Sequence, residues 1–262
     1  MKKYCMIGID CDPDRNSKWP RYTWTGFNSV REILDYGPFA LNVRMDEEIA
    51  GLYCNDPMWC FNNPVVDEAN LAGCSVGVHF HPTGRDGCKR NGHTKVLLGT
   101  PDEFKISIHD GWLNHESLND EAAAGFKLNY SPAPGSHGPY YDWRDWPNRP
   151  VWHKGMLILP TQTIKTWISR TYNGIATVYP TAPHWHYRRL VKAFEKTGND
   201  TLVTTFHADE LNGAIGGLRA RVYSKKNLIR NIRYLKERGY IFQNANEVYE
   251  RYNNARCSQP DS

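Results

Sequence analysis

Apolar and polar positions along this 262-residue chain form two alternating kinds of segment. Short, nearly continuous apolar runs are typical of buried strands, and apolar residues three and four positions apart are typical of one helix face. The predicted strands cover residues 4–9, 39–43, 75–80, 104–108, 127–130, 156–159, 202–206 and 240–242. The predicted helices cover residues 26–36, 45–52, 65–72, 113–124, 187–196, 225–238 and 245–252.

Repeated strand-then-helix units predict parallel strands joined by crossover helices. A Gly-rich phosphate loop, which would indicate an open dinucleotide-binding sheet, does not occur in the sequence. We therefore expect an α/β fold, a distorted (β/α) barrel of about seven parallel strands. The predicted division is a single catalytic domain over residues 1–252 and a flexible C-terminal tail over residues 253–262.

Two predicted connections, 82–100 and 131–153, are longer than usual, which is typical of binding loops. The second is crowded with aromatic residues, and the whole chain contains nine Trp and fifteen Tyr. Flat apolar rings with a polar edge suit stacking against sugars, although they also serve in a barrel core. The candidate substrate-binding residues are Trp112, Tyr130, Tyr140, Trp143 and Trp185.

Charge and cysteine content narrow the class of protein. The formal charge is only +4, and the densest basic segment, residues 225–238, has the pattern of a solvated amphipathic helix, so we expect no nucleic-acid partner. Seven cysteines without a CxxC pair indicate reduced thiols. The N-terminal segment lacks the apolar stretch of a signal peptide, and no apolar run approaches membrane-spanning length. These features predict a cytoplasmic protein without a transmembrane segment.

Acidic and imidazole side chains follow three predicted strands. Asp10 and Asp12 come at the end of the first, His79 and His81 at the end of the third, and His207 after a late one. Catalytic groups of parallel barrels gather at the carboxyl ends of the strands, so we expect these side chains on one rim. Three further histidines are held in reserve near other strand ends: His109, His184 and His186.

This set of residue types is suited to metal-assisted hydrolysis. Two imidazoles and a carboxylate commonly bind a catalytic zinc or similar divalent ion and leave positions open for water and substrate. A second carboxylate can take the proton of the attacking water, and a separate histidine can protonate the leaving amine.

Several segments resemble motifs of the polysaccharide deacetylases of the NodB-homology type, also called carbohydrate esterase family 4. The similarity is to a divergent bacterial branch found among cell-envelope polysaccharide genes. The segments are 8–12 (GIDCD), 76–82 (VGVHFHP), 104–105 (FK), 125–131 (GFKLNYS), 155–160 (GMLILP) and 205–211 (TFHADEL). The resemblance extends over about residues 4–250, and its most specific parts are the HFHP and FHADEL segments.

The resemblance implies one divalent metal, usually zinc, and hydrolysis of an N-acyl group, in the first place N-acetyl, on an amino sugar of cell-surface polysaccharide or O-antigen biosynthesis. The amino sugar could be nucleotide-linked, lipid-linked or part of an oligosaccharide. The implied roles are a base (Asp10), three metal ligands (Asp12, His79 and His81), a general acid (His207) and a cation that holds the base (Lys105).

The sequence departs from the family pattern at three points. The two metal histidines are two residues apart instead of four, so one of them could bind substrate. Lys105 stands where the family usually has Arg, and lysine cannot form the bidentate hydrogen bonds of a guanidinium. Asn129 stands where the branch often has Asp. Reversed roles for Asp10 and Asp12 remain an alternative.

Three other functions are compatible with parts of the pattern. One is a metal-dependent amidohydrolase acting on a small non-sugar amide, and another is a carbohydrate-binding pseudoenzyme on the same fold. The third is a thiol enzyme built on Cys11. It is disfavoured because the two flanking aspartates would raise the pKa of the thiol.

Overall fold

The computed structural model of the chain describes residues 2–17, 21–44, 63–80, 97, 99–110, 115–138, 141–165 and 175–258. The strands within these ranges are β1 (Lys3–Cys11), β2 (Ala40–Arg44), β3 (Ser75–Phe80), β4 (Ser107–Asp110), β5 (Leu128–Asn129), β6 (Val151–His153), β7 (Met156–Ile158), β8 (Thr163–Lys165), β9 (Ile175–Thr177), β10 (Thr201–His207) and β11 (Tyr240–Phe242). Nine of them form one mostly parallel sheet in the order β10-β1-β2-β3-β4-β5-β7-β6, with β11 also pairing with β1. Strands β8 and β9 form a separate antiparallel pair.

The helices connect and cover these strands. They are α1 (Thr25–Ser29), α2 (Pro64–Leu71), α3 (His115–Ala123), α4 (His184–Phe194), α5 (Arg219–Val222), α6 (Lys225–Glu237) and α7 (Ala245–Cys257), with 3-10 turns at Val30–Tyr36, Asp102–Phe104 and Ala208–Glu210. Local sequence explains several helix starts, because Asn63, Ser224 and Asn244 each cap a helix with a side-chain oxygen. Among the described residues, no helix has both the length and the apolar character needed to cross a membrane.

Strand β1 pairs with β10, β2 and β11, and it is buried on both faces from Cys5 to Cys11. Cys5, Ile7 and Ile9 belong to a large apolar cluster that includes residues of α2, α4 and α6. Met6 belongs instead to a second cluster with Tyr130, Leu157 and Val203. Because side chains alternate along a strand, Asp10 points to the same side as Met6, which we call the inner face.

Two glycines make the inner face possible. A Cβ atom at Gly8 would lie 2.5–2.9 Å from the ring and hydroxyl of Tyr130, and one at Gly77 would lie 2.3 Å from the carbonyl oxygen of Ser107. Gly8 therefore leaves room for the Tyr130 ring, and Gly77 allows β3 and β4 to approach closely just below His79.

The prediction of an α/β fold with a mostly parallel sheet is confirmed. The expected seven strands are too few, because short strands such as β6, β8 and β9 lack a distinctive apolar run. Among the described residues no ladder closes the sheet into a barrel, although Gln162 N–H donates to the Val203 carbonyl (3.0 Å) and links the chain after β7 to β10. The predicted helix at 45–52 lies outside the described residues. Helix α7 continues to Cys257, so the first five residues of the predicted tail are helical.

We expect Gly77→Ala to lower the free energy of unfolding by about 1–3 kcal/mol, the usual cost of overpacking a well-packed interior. The clash is with backbone as well as side-chain atoms, so it cannot be relieved by a rotamer change alone. Urea denaturation measures the effect. Gly99→Ala is the matched control, because a Cβ there meets nothing within 4 Å. Equal stability of the two variants would contradict the close approach of β3 and β4.

Candidate metal centre and active site

The register of the parallel strands brings four side chains to one end of the sheet. Asp10 in β1 is directly opposite His207 in β10, and His79 in β3 is directly opposite His109 in β4. All four belong to the inner-face set of alternate residues on their strands. They lie at the carboxyl ends, where active sites of parallel α/β folds are found.

Asp10, His79 and His109 form a compact cluster. Oδ1 of Asp10 lies 2.9 Å from Nδ1 of His109 and 3.6 Å from Nδ1 of His79. One potential ligand atom from each residue falls within 4.8 Å of the others, so the three could hold a metal ion. Asp10 and His79 are each only 1% exposed, so the cluster has little water to solvate it.

The donor set fits a divalent cation. Oδ1 of Asp10 and Nδ1 of His109 are buried, and neither has a well-aligned hydrogen-bond partner among the described residues despite their short separation. His79 is oriented by the backbone, because the carbonyl oxygen of His109 lies 2.6 Å from its Nδ1. This contact fixes the ring so that Nδ1 lies near Asp10 and Nε2 lies near Asp12.

The local charges stabilise the ionised forms of these groups. Burial alone would raise the pKa of Asp10, but the nearby imidazoles of His109 and His79 hold it at about 2. Burial alone would lower the pKa of His79, but Asp10 and Asp12 raise it to about 9. The two carboxylates therefore favour a positive charge at the position of His79, as they would favour a bound cation.

Asp12 lies beside this cluster instead of within it. Its Oδ2 is 3.4 Å from Nε2 of His79 and 3.8 Å from Nε2 of His207. Its Oδ1 accepts a hydrogen bond from Nη1 of Arg44 at 3.0 Å. The carboxylate thus connects the two histidines and is held by an arginine from β2.

His207 is supported by a buried polar network behind it. Tyr179 donates its hydroxyl hydrogen to Glu210 (2.8 Å), and its oxygen lies 3.0 Å from Nδ1 of His207. Since the tyrosine hydrogen is committed to Glu210, Nδ1 of His207 is the donor and Nε2 faces Asp12. Burial lowers the pKa of His207, but the nearby carboxylates of Glu210, Asp10 and Asp12 together raise it above the ordinary value.

A cavity of about 190 Å³ opens onto the cluster, and we call it the reaction cavity. Asp10, His79, His109 and His207 all line it. The remaining wall combines aromatic side chains, Trp143 and Tyr141, with hydroxyl groups from several loops and strands. An aromatic wall with many hydroxyl groups suits a polar ring compound such as a sugar.

The other predicted site residues occupy different positions. Lys105 precedes β4, and its ammonium group pairs with the exposed Asp102 (2.8 Å), so it does not line the reaction cavity. Tyr130 is fully buried beneath the site, where its ring stacks on His109 with centroids 4.8 Å apart and its hydroxyl contacts Asn42. Trp185 is 58% exposed on α4 and does not line the reaction cavity. His81, Trp112 and Tyr140 lie outside the described residues.

His109 was predicted only as a reserve candidate. Its signal was the position of an isolated histidine near the end of a predicted strand, which His184 and His186 shared. The structure separates them: His184 bonds to Asn231 on α6 (2.8 Å), and His186 lines a different cavity. Only the register with His79 distinguishes His109, and a sequence pattern does not contain that register.

Cys11 has no features of a nucleophile. The side chain is fully buried, and burial, together with the charges of Asp10 and Asp12, raises the pKa of the thiol well above its ordinary value. A thiol held in the neutral form is a poor nucleophile. This observation weighs against the thiol-enzyme interpretation.

A pair of buried carboxyl groups lies next to His109 and was not anticipated. The side chains of Asp110 and Glu121 contact each other, and Nδ2 of Asn129 donates to Glu121 (2.6 Å) and Asp110 (3.4 Å). Burial raises the pKa of Asp110 to about 6, and burial together with Asp110 raises that of Glu121 well above its ordinary value. One proton shared by two carboxyl groups explains this pair.

No family model matches the chain, and no curated protein matches it by sequence. The fold is similar to that of a GH57 branching enzyme from the hyperthermophilic archaeon Thermococcus kodakaraensis, whose structure contains glucose. The TM-score is 0.52 at 14% identity over 96% of this chain and 72% of the other. At this identity the similarity shows a shared fold and nothing about activity.

A second solved structure matches with a lower score. It is a Bordetella bronchiseptica protein described as a candidate polysaccharide deacetylase involved in O-antigen biosynthesis. It aligns over 78% of this chain and 71% of its own, with 9% identity and a TM-score of 0.38. The function of the present chain must therefore be argued from its own site.

We expect Glu121→Gln to increase stability at pH 8. When folding raises the pKa of a carboxyl group, the group contributes its full stability at pH values below its ordinary pKa, 4.5 for Glu. That contribution is lost as the pH rises. Gln keeps the acceptor for Asn129 and needs no proton. The variant should exceed wild type at pH 8 by about 1 kcal/mol or more, since one pKa unit corresponds to about 1.4 kcal/mol.

Urea denaturation at pH 5, 6.5 and 8 tests this prediction. The exposed Glu103→Gln serves as the control and should follow wild type at every pH. If wild type and Glu121→Gln lose stability in parallel between pH 5 and 8, the two carboxyl groups do not share a proton.

Proposed function

We propose that this chain is a metal-dependent hydrolase that removes an N-acyl group, in the first place N-acetyl, from an amino sugar. The observation that carries the proposal is the cluster of Asp10, His79 and His109, which opens with His207 onto one cavity. Hydroxyl groups and Trp143 in the same cavity support a sugar as the substrate. The sheet that carries the site is proposed to be a distorted barrel, supported by the hydrogen bond from Gln162 to Val203.

Asp10, His79 and His109 are the proposed metal ligands, with zinc as the proposed ion. Two imidazoles and one carboxylate form a common catalytic zinc set. When bound, such an ion lowers the pKa of a water molecule and polarises an acyl carbonyl group. His81 follows β3 by one residue and is a further candidate ligand or substrate contact.

The roles of the two aspartates are proposed to be the reverse of those implied by the family resemblance. Asp10 contacts two imidazoles, which supports a role as metal ligand, whereas Asp12 lies between His79 and His207. Asp12 would accept the proton of the attacking water. Arg44 holds the Asp12 carboxylate in place through a hydrogen bond, which is the role that the resemblance assigned to Lys105.

His207 is the proposed general acid. Tyr179 and Glu210 hold the ring through Nδ1, so Nε2 is the nitrogen that would deliver a proton to the departing amine. The raised pKa supports a protonated imidazole near neutral pH. The indole of Trp143 would bind a face of the sugar.

Metal binding provides the first test. Elemental analysis of purified wild type should give about one zinc or similar ion per chain, and Asp10→Asn, His79→Ala and His109→Ala should each weaken binding at least about tenfold. His184→Gln is the matched control, because that ring bonds to Asn231 away from the site.

Two results would contradict the proposed metal ligands or the proposed metal dependence. If His109→Ala retains the ion while Asp12→Asn and His81→Ala lose it, the ligands are those implied by the resemblance. If wild type binds none of zinc, cobalt or nickel but still binds sugars independently of Asp10, the chain is a carbohydrate-binding pseudoenzyme.

Turnover provides the second test. We expect acetate release from N-acetylhexosamine substrates, loss of release on chelation and recovery with added zinc. His207→Ala and Asp12→Asn should lower kcat about 10²–10⁴-fold, the usual contribution of general acid–base catalysis, while keeping the metal. A preference for small non-sugar amides over every N-acetylated sugar would instead favour an amidohydrolase.

A further inference from the structure

A second cavity, of about 560 Å³, adjoins the reaction cavity. The two share the wall formed by Thr177, Tyr179 and His207. A substrate whose amide lies against Asp10 and His207 could therefore continue directly into the second cavity. We call this space the side cavity.

The side cavity presents cationic and polar groups. Arg15 and Arg219 line it, and Glu210 is its only acidic lining residue among those the structure describes. Glu210 is not available to repel an anion, because it accepts hydrogen bonds from Arg15, Tyr179 and Thr181. Its charge is thus compensated within the wall.

The two arginines differ in how they are engaged. Arg15 donates from Nε and Nη2 to the buried Asp209, which fixes the guanidinium against the wall. No hydrogen bond from Nη1 of Arg15 occurs within the described ranges. Arg219 lies exposed on α5 and forms no ion pair with any described carboxylate. Tyr223 completes this side of the cavity and packs edge-on against Tyr179, with ring centroids 5.2 Å apart.

The volumes of the two cavities suggest that each binds a different part of the substrate. Pockets for drug-sized ligands are about 300–1,000 Å³, so the reaction cavity at 190 Å³ is suited to little more than one sugar unit. The side cavity has roughly three times that volume and can hold whatever the sugar is attached to.

We infer that the side cavity binds the phosphoryl group of a glycosyl phosphate or diphosphate, so the amino sugar is attached to a phosphate carrier instead of to another sugar. The guanidinium of Arg219, with the remaining N–H groups of Arg15, is the anion-binding element. This inference rests on the proposed function for the sugar end of the substrate, but the anion-binding step can be measured without turnover.

The test is calorimetric titration of the protein with inorganic pyrophosphate, with zinc and after chelation, because chelation removes any contribution from phosphate on the metal. Wild type should bind in both states, and Arg219→Gln should weaken binding at least about tenfold, the usual effect of losing a hydrogen bond to a charged group. Arg221→Gln is the matched control. It removes the same charge from the same short helix but does not line the side cavity, so it should change binding less than about twofold.

Two further probes distinguish the carriers. Uridine diphosphate that binds more tightly than pyrophosphate in an Arg219-dependent way indicates a nucleotide carrier. Arg219-dependent co-sedimentation with vesicles containing polyprenyl phosphate indicates a lipid carrier. Either result supports the inference.

The inference is overturned if wild type does not bind pyrophosphate after chelation, or if Arg219→Gln and Arg221→Gln bind it equally. Arg219-dependent binding by a protein that takes up no metal and releases no acetate would contradict the proposed function alone. Acetate release from N-acetylated oligosaccharides, unaffected by Arg219→Gln, would contradict the phosphate subsite alone.

Discussion

The whole site depends on the alternation of side chains along buried parallel strands. Every second residue of β1, β3, β4 and β10 faces inward, and the register aligns the polar member of each strand at one end of the sheet. Below that polar layer, Tyr130 fills the interior and supports His109, and it fits only because position 8 is glycine. Packing in the lower layer therefore fixes the positions of the charged groups above it.

Burying so many ionisable groups is unfavourable unless they compensate one another. Asp12 connects His79 with His207 and is neutralised by Arg44. On the far side, Arg15 pairs with two buried acidic residues, Asp209 and Glu210. The result is a set of carboxylates and imidazoles held in defined ionisation states without bulk water, which is the usual condition for perturbed pKa values at functional sites.

Much of this arrangement follows from the sequence. The strand that ends at Asp10 and the one that ends at His207 were recognisable because each is a continuous apolar run followed by polar residues. The role of His109 could not be recognised from the sequence, because it depends on the pairing between β3 and β4. Isolated histidines also occur at other predicted strand ends. Lys105 is the opposite case, since a motif position predicted a role at the site while the side chain pairs with Asp102. Contacts such as that between Arg44 and Asp12 depend on the order of the strands in the sheet. The apolar pattern does not specify that order.

The pairing of β1 with β10 has a consequence for how the protein is made. Asp10 and His207 are about 200 residues apart in the chain, yet they are direct partners in adjacent strands. During synthesis the first strand is completed long before its neighbour on that side exists, so it must persist with one open edge. Truncated products that end before Thr201 would leave that edge exposed and would be prone to aggregate, and the site is completed by His207 only after three quarters of the chain has been translated.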